Sequence, residues 1–485
     1  MRQFSRIVAR NSAFGMGAQI AIKLLSFCFT VLIIRNLGDD VYGQYTTIVA
    51  YGAIFIFFAD LGLSPFAVRE IARWRDDPDG TERVNALFGN LLALRFCLSI
   101  VAGLMIVSSA WLTGQPLIII GAILLNVLGL VIYSVHGASE AVLAGFERLD
   151  INAGARVVYQ LLFVVGGAIA LWYGAGYYGL IAATLIAITW MTYICWRGVQ
   201  RLGLRPSRPT INTWPALIRI SIPFGVIGFT LGLSYKFDTL LLQHFFDYET
   251  AGHYNAAYTL VFSSFMLSNI INTAMYPSLA RQSATASETL PMIYERAIRY
   301  LLMIGLPIAV GGWALSGQII PFLYEAAYQP AVPVLQIIIW TVPLMFMTEF
   351  LGYAVVIAGQ ERRVARAVII STTCNILINI LVIPRFGIMG AAVTTVFTEL
   401  VLVTQYVWIL REMLRKLNWK YALIRPLLAT LLMGMAVIAL SQLPLLLNIA
   451  LGVVVYAILL IVLGVVGKEE LHFVRSLRQS QEATS

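Results

Sequence analysis

Four basic residues lie within or beside long apolar segments of this 485-residue chain. Lys23, Lys236 and Arg95 lie inside such segments, and Arg35 lies at the end of the segment that contains Lys23. Ammonium and guanidinium groups bind carboxylates and phosphates strongly when no carboxylate of the chain neutralises them. These four residues are therefore candidates for contact with an anionic ligand.

Four acidic residues in apolar segments are candidates for ion coupling or for pairing with a cation. They are Asp60, Asp238, Glu349 and Glu399. Asp60 lies near a segment end, where a cap or a pair with Arg95 would explain it; Glu140 is the other partner open to Arg95. Glu349 and Glu399 lie deeper, where a carboxylate can carry a proton or a sodium ion, and buried hydrogen bonding is the competing explanation.

Sequence motifs for catalysis and for metal or nucleotide binding are missing. The four cysteines are far apart and lack the spacing of metal ligands, and the histidines near segment ends do not pair convincingly. No phosphate-binding loop or dinucleotide motif occurs. We therefore expect no catalytic residue, no metal site and no cofactor.

The composition places the chain in a membrane. Hydrophobic residues make up 59% of it and charged residues only 12%, with a mean hydropathy of +0.82. Soluble chains are nearer 45–50% apolar and about 25% charged. A soluble enzyme is excluded, and so is a nucleic-acid partner, because the net charge of +9 is spread too thinly.

Apolar segments long enough to cross a bilayer, which takes about 20 residues, recur along the whole chain. We predict fourteen spans, at residues 12–34, 43–66, 86–112, 117–143, 157–175, 177–196, 221–243, 253–277, 300–322, 332–358, 367–384, 388–410, 423–441 and 445–466. With this count, 28 of the 33 Lys and Arg residues fall on one side. Basic loops face the cytoplasm, so we expect a multi-pass protein of the cytoplasmic (inner) membrane with both termini cytoplasmic.

A weak internal repeat divides the spans. Gly43-Gln44-Tyr45 matches Gly252-His253-Tyr254 at an offset of 209, and residues 179–183 match 387–391 at 208. Because this offset equals six spans, the halves share one orientation, as in carriers that work by alternating access. We predict an all-α membrane protein of two parallel six-helix lobes and two C-terminal helices: an N-lobe at 1–200, a cytoplasmic linker at 201–215, a C-lobe at 216–410, extra helices at 411–467 and a cytoplasmic tail at 468–485.

The repeat relates the two lysines. Lys236 corresponds to Phe27, four residues after Lys23, and positions four apart share a helix face. If those faces line a shared cavity, the pair could hold an anionic group such as a pyrophosphate. The competing explanation is that each lysine reaches the membrane surface or pairs with a carboxylate. Asp238 follows Lys236 by two residues and so points elsewhere.

Several short motifs, taken in order, resemble the polysaccharide-biosynthesis flippases, the O-antigen-flippase-like branch of the multidrug/oligosaccharidyl-lipid/polysaccharide exporter superfamily. The first lobe contributes Arg35 to Tyr45, Asp60 to Leu63 and Arg69 to Ile71. The second lobe contributes residues 237–239, 251–258, 305–307, 379–384 and 386–392. The two extra helices resemble those of lipid II flippases, where they form a groove for lipid tails.

This resemblance implies a transporter, not an enzyme. It would move a lipid-linked oligosaccharide, carried on polyprenyl pyrophosphate, to the outer leaflet for cell-surface polysaccharide assembly. The cationic cavity of the family matches the positions of Lys23 and Lys236. The expected partners are this substrate, membrane lipids and a glycan polymerase or glycosyltransferases; H⁺, Na⁺ or the membrane potential could drive transport.

Other classes fit the sequence less well. A cation-coupled multidrug or small-solute antiporter of the same superfamily is the closest alternative, and an acidic cavity would favour it. A major-facilitator carrier would have a Gly-rich basic loop between spans two and three, but Arg69 to Arg83 contains the single glycine Gly80. A membrane glycosyltransferase would need a large external loop or an acidic catalytic motif.

Overall fold

The computed structural model describes residues 22–284 and 290–465, and within them all regular structure is helical. A bilayer imposes this result, because backbone groups in lipid must find hydrogen bonds inside the chain. The predicted all-α membrane fold is confirmed. The first part of predicted span one and the predicted tail at 468–485 lie outside the described residues.

The described helices follow one another through short connections. Their bounds are α1, 22–37; α2, Asp39–Asp60; α3, Leu63–Trp74; α4, Gly80–Leu112; α5, Leu117–Gly145; α6, Leu149–Trp172; α7, Gly176–Arg201; α8, Trp214–Phe245; α9, Tyr248–Ala284; α10, Leu290–Tyr324; α11, Ala331–Ile338; α12, Thr341–Ile357; α13, Glu361–Ile409; α14, Arg411–Leu414; α15, Arg425–Ala439; and α16, Leu445–Val462. Three-residue 3₁₀ turns occupy Ile211–Thr213 and Ala326–Tyr328, and a π turn at Lys420–Ile424 precedes α15.

Ten helical stretches in the described part of the chain are long and apolar enough to cross a membrane. The helices α8 and α9, of 32 and 37 residues, lie where the sequence predicts spans seven and eight. The protein is therefore a multi-pass membrane protein. The total of fourteen spans stays a prediction.

Two of these stretches contain a break. Between α2 and α3, Leu61 and Gly62 have φ values of 45° and 79°, which ends the helical path after Asp60. In α13 the break falls at Gly387, where φ is 53° and ψ is −137°. Glycine reaches positive φ without the steric cost that a Cβ brings. The break at Gly387 separates the residues predicted as spans eleven and twelve.

The described helices form two compact units. The first contains the chain up to Asn255 together with Thr372–Ile388, and the second contains Ala256–Ser371 and the chain from Met389 onwards. Helices α9 and α13 thus contribute to both units. The predicted limits of the two lobes stay predictions.

The first unit has two apolar clusters. One joins α3, α4, α5 and α7 through buried residues that include Ile71, Phe88, Leu94, Val142 and Cys195. The other joins α2, α4, α5 and α7 through Ile48, Tyr51, Ile106, Ile123, Ile181 and their neighbours. In a bilayer such side chains associate through close packing, because lipid removes most of the hydrophobic driving force.

The segment between α7 and α8 is fixed to α4 by hydrogen bonds. The side-chain oxygen of Asn90 accepts from the backbone N–H of Thr210 at 2.8 Å and from Nε1 of Trp214 at 3.1 Å. The side-chain oxygen of Asn85 accepts from the backbone N–H of Arg205 at 2.9 Å. The connection is therefore held to the first unit although it has little regular structure.

In the second unit, α15 and α16 pack against α10 through Val310, Met433, Tyr456 and neighbouring residues. The Tyr456 hydroxyl donates to the Met303 carbonyl at 2.9 Å. The Asn448 side-chain amide donates to the carbonyls of Val437 and Leu440 near the end of α15. These contacts satisfy polar groups that would otherwise be costly in lipid.

Candidate functional site

The two candidate lysines lie on helices of the first unit. The Lys23 side chain is exposed near the described start of α1, and Lys236 is half-buried in α8. Within the described residues, neither ammonium group forms a hydrogen bond or an ion pair. Arg35, the third candidate for anion contact, is exposed near the end of α1.

Arg95 is neutralised. Its side chain is 2% exposed, and Nη1 lies 2.6 Å from Oδ1 of Asp60 and donates to the Ser64 hydroxyl at 2.6 Å. The guanidinium also lies against Gly137 of α5, where an added Cβ would come within 2.2 Å of Nη2. The break between α2 and α3 places Asp60 and Ser64 on one side of this cation. The geometry therefore gives Arg95 the structural role that the sequence analysis left open.

Glu140, the alternative partner for Arg95, binds other cations. Its carboxylate accepts from Nη2 of Arg156 at 2.5 Å and lies 3.4 Å from Nε2 of His136. A carboxylate with these two neighbours is not available to Arg95. Of the two pairs considered from the sequence, the structure forms the one with Asp60.

Asp238 lies in a buried polar cluster of the first unit. Its carboxylate accepts from the Tyr254 hydroxyl at 2.8 Å and from Nδ2 of Asn379 at 2.7 Å. Asn379 also donates to the side-chain oxygen of Asn375 at 3.1 Å, and Thr239 hydrogen-bonds Asn255 beside it. We call these six residues the Asp238 cluster: Asp238, Thr239, Tyr254, Asn255, Asn375 and Asn379.

The Asp238 cluster places one carboxylate among neutral polar side chains, two of which donate hydrogen bonds to it. All six residues are less than 5% exposed. The side-chain oxygen of Asn379 is buried and, among the described residues, accepts no hydrogen bond. A buried carboxylate can carry a proton, and together with nearby side-chain oxygens it can also bind a hard cation.

The two deeper glutamates belong to the second unit. Glu349 accepts from the Ser268 hydroxyl at 2.5 Å and from Nδ2 of Asn269 at 3.0 Å. Glu399 accepts from the Thr348 hydroxyl at 3.3 Å. Both carboxylates thus accept hydrogen bonds, the alternative to ion coupling, but these bonds are only partly buried, and the one from Asn269 is exposed.

A second polar network ties the middle of α2 and the start of α9 to neighbouring elements. The Gln115 side chain accepts from the Tyr248 hydroxyl at 2.6 Å and donates to Gln243 at 2.7 Å. The Tyr51 hydroxyl lies 2.6 Å from that of Thr113. This network joins α2, the connection after α4, and the adjoining ends of α8 and α9.

Sequence reasoning missed the neutral members of these networks. Tyr254, Asn379 and Gln115 carry no charge, so a search for charges in apolar segments passes over them. Asn375 and Asn379 are four residues apart in an apolar segment, which places them on one helix face. That spacing was the available signal.

These features define a multi-pass helical membrane protein with polar groups inside its helical units. The chain belongs to the polysaccharide biosynthesis protein family, whose model matches residues 8–283. The MatE family model matches residues 223–381.

Two similar curated proteins come from Haloferax volcanii. The chain is 21% identical over 274 residues to the probable low-salt glycan biosynthesis flippase Agl15, a match that covers 55% of this chain and 56% of the relative. It is 22% identical over 408 residues to the probable flippase AglR, with 81% of each chain covered. The chain therefore spans just over half the length of the first relative.

The fold is similar to that of a solved lipid II flippase, MurJ, in an inward closed conformation. The TM-score is 0.79 at 15% sequence identity, covering 92% of this chain and 98% of that one. At this identity the likeness shows the fold alone.

Proposed function

We propose that this protein moves a lipid-linked oligosaccharide, carried on polyprenyl pyrophosphate, across the cytoplasmic membrane by alternating access for cell-surface polysaccharide assembly. It would act as a transporter and not as an enzyme. Membership of the polysaccharide biosynthesis family and similarity to two proteins named as probable flippases support this proposal.

The observation that carries the proposal is Lys236. A charge inside a membrane helix is costly, and such residues usually mark the path of a substrate or ion. Lys236 is half-buried and forms no ion pair within the described residues, although Asp238, two positions further along α8, attracts it electrostatically. An anion such as a pyrophosphate supplies the missing charge. Arg95 is a weaker candidate, because Asp60 already neutralises it.

The test is charge reversal in reconstituted vesicles. We expect Lys236→Glu, alone and with Lys23→Glu, to abolish flipping of a fluorescent lipid-linked oligosaccharide, because a carboxylate repels the pyrophosphate. Lys236→Arg should keep much of the activity. Lys416→Glu, in the exposed connection after α14, is the matched control. Unchanged flipping by the double variant would exclude an anion site at these lysines.

The alternative is a cation-coupled multidrug or small-solute antiporter. The MatE match over residues 223–381 favours it, since this region contains Asp238 and Glu349. An antiporter would export cationic compounds against a proton or sodium gradient. Vesicles that accumulate such compounds but do not flip the lipid-linked sugar would support this alternative.

For coupling, we propose that the Asp238 cluster holds Na⁺ or H⁺. Of the four candidate carboxylates, Asp60 already pairs with Arg95, whereas the Asp238 carboxylate accepts hydrogen bonds from the neutral side chains of Tyr254 and Asn379. Oxygen ligands at a broken membrane helix are a recurrent arrangement for coupling ions. We expect Asp238→Asn to uncouple flipping from the driving ion, and separate sodium and proton gradients to distinguish the two ions.

We further propose that both termini are cytoplasmic, from the distribution of basic residues, and that a glycan polymerase or glycosyltransferases act beside this protein. Cysteine labelling from each side of the membrane tests the first point. Co-purification of the detergent-solubilised protein with enzymes of glycan assembly tests the second.

A further inference from the structure

A histidine and two carboxylates meet where the starts of α2 and α9 touch. The ligand atoms of Asp39, Glu249 and His253 all lie within 4.8 Å of one another. His253 is buried, Asp39 is half-buried and Glu249 is exposed. All three residues belong to the first unit. We propose that they form a binding site for a divalent transition-metal ion of the Zn²⁺ type.

The distance between Asp39 and His253 fits such an ion. Nε2 of His253 lies 3.4 Å from Oδ2 of Asp39, longer than an ordinary hydrogen bond. Two ligands bound tetrahedrally to zinc, with bonds of about 2.0–2.2 Å, lie about 3.3–3.6 Å apart. Glu249 and His253 are four residues apart on α9, so both side chains lie on one helix face. Mixed imidazole and carboxylate ligands suit zinc and its neighbours.

The backbone holds the ligands in place before any ion arrives. A Cβ on Gly43 would lie 1.7 Å from the carbonyl oxygen of Tyr248, and one on Gly252 would lie 2.4 Å from that of Asp39. Only glycine permits this contact of two helix backbones. Asp39 is therefore fixed against the turn that carries Glu249 and His253.

Asp39 and Glu249 lie in the first turns of α2 and α9. First-turn acids stabilise helix N-termini, but Asp247 already caps α9 through the backbone N–H of Thr250 at 2.7 Å. Oδ1 of Asp39 accepts from the N–H of Asp40, which leaves Oδ2 facing His253. Glu249 is exposed, so an ion bound here would be accessible from water.

The internal repeat isolates the contribution of the histidine. At the offset of 209, Asp40 and Gln44 correspond to Glu249 and His253. In α2 this pair is a plain hydrogen bond, from Nε2 of Gln44 to Oδ2 of Asp40 at 2.8 Å. In α9 the histidine replaces the glutamine and supplies a metal ligand. His253→Gln therefore installs on α9 the residue that α2 already accommodates at the corresponding position.

The test is binding of Zn²⁺ alone to the full-length, metal-stripped protein in detergent, by calorimetry. We expect one site in the unmodified chain, and His253→Gln, Asp39→Asn and Glu249→Gln each to weaken it at least about tenfold. Asp40→Asn and His244→Gln, which remove a carboxylate and an imidazole nearby, should leave it unchanged. Zinc should also raise the melting temperature of the unmodified chain and not that of His253→Gln.

Two results would overturn the inference. One is a chain that binds no zinc; the other is binding that survives in Glu249→Gln and His253→Gln. Because Glu249 is exposed, its variant separates loss of the ligand from loss of the fold. The readout is ion binding, so the result does not depend on the proposed transport.

Discussion

Arg95 and Lys236 are cations in membrane helices of the same unit, but of the two only Arg95 forms an ion pair within the described residues. Arg95 is buried with a carboxylate and a hydroxyl at 2.6 Å, whereas Lys236 is half-buried and forms no ion pair within the described residues. A charge placed in lipid with its own counterion is explained by the fold. A charge placed there without an ion pair is the basis on which we propose that Lys236 contacts an anionic ligand.

We expect the largest loss of stability from breaking the ion pair between Arg95 and Asp60. Asp60→Asn leaves a buried guanidinium without its counterion, which costs about 3–5 kcal/mol of the free energy of unfolding. Arg95→Met together with Asp60→Asn should recover most of this loss, because both charges are then absent. Denaturant unfolding in detergent measures both variants.

A surface pair provides the control for that prediction. Glu70 pairs with the exposed side chains of Arg69 and Arg73, so Glu70→Gln should cost less than about 1 kcal/mol. If Asp60→Asn costs no more than this control, the Arg95 pair does not stabilise the fold.

Removing the charge of Lys236 should raise the free energy of unfolding, whereas breaking the Arg95 pair lowers it. Lys236→Met eliminates an unpaired ammonium group, whose insertion at the centre of a membrane helix costs about 2.5–3.5 kcal/mol. We therefore expect a stabilisation of up to this size, together with loss of flipping. A destabilised variant that still flips substrate would show that Lys236 has a structural role like that of Arg95.

The fold was largely predictable because the bilayer constrains it. The predicted span at 117–143 corresponds to the helix Leu117–Gly145, and the one at 177–196 to Gly176–Arg201. Apolar length alone identifies such helices. The break at Leu61 and the long extensions of α4 and α10 beyond their apolar parts depend on tertiary contacts, which hydropathy does not contain.

The candidate sites were only partly predictable. Charge in an apolar segment identified Arg95, Asp60 and Asp238, since few residue types are so costly there. It could not identify the partners of Asp238, because Tyr254 and Asn379 are distant in sequence and neutral. The sequence gives no metal-ligand spacing for His253, because Asp39 lies on another helix and the two are brought together by the close contact of the α2 and α9 backbones at Gly43 and Gly252.

We expect a smaller loss of stability from removing one hydrogen bond in the Asp238 cluster. Tyr254→Phe removes one donor from a buried carboxylate and keeps the ring, so it should cost about 1.5–3 kcal/mol of unfolding free energy, as for hydrogen bonds to charged groups. The same variant should weaken the dependence of flipping on its driving ion. Unchanged stability and coupling would argue against the cluster as an ion site.

We expect the smallest loss of stability from the network around Gln115, whose hydrogen-bond partners Tyr248 and Gln243 are neutral. Tyr248→Phe removes the 2.6 Å hydrogen bond to Gln115 and leaves the ring in place. Neutral hydrogen bonds contribute about 0.5–1.5 kcal/mol, so this variant should lose less stability than Tyr254→Phe when both are unfolded under the same conditions. The two variants make the same chemical change; the acceptor of Tyr254 is charged and its hydrogen bond is the more buried of the two. An equal loss would mean that the charge of Asp238 is already balanced in the fold, which would remove the reason for a cation there.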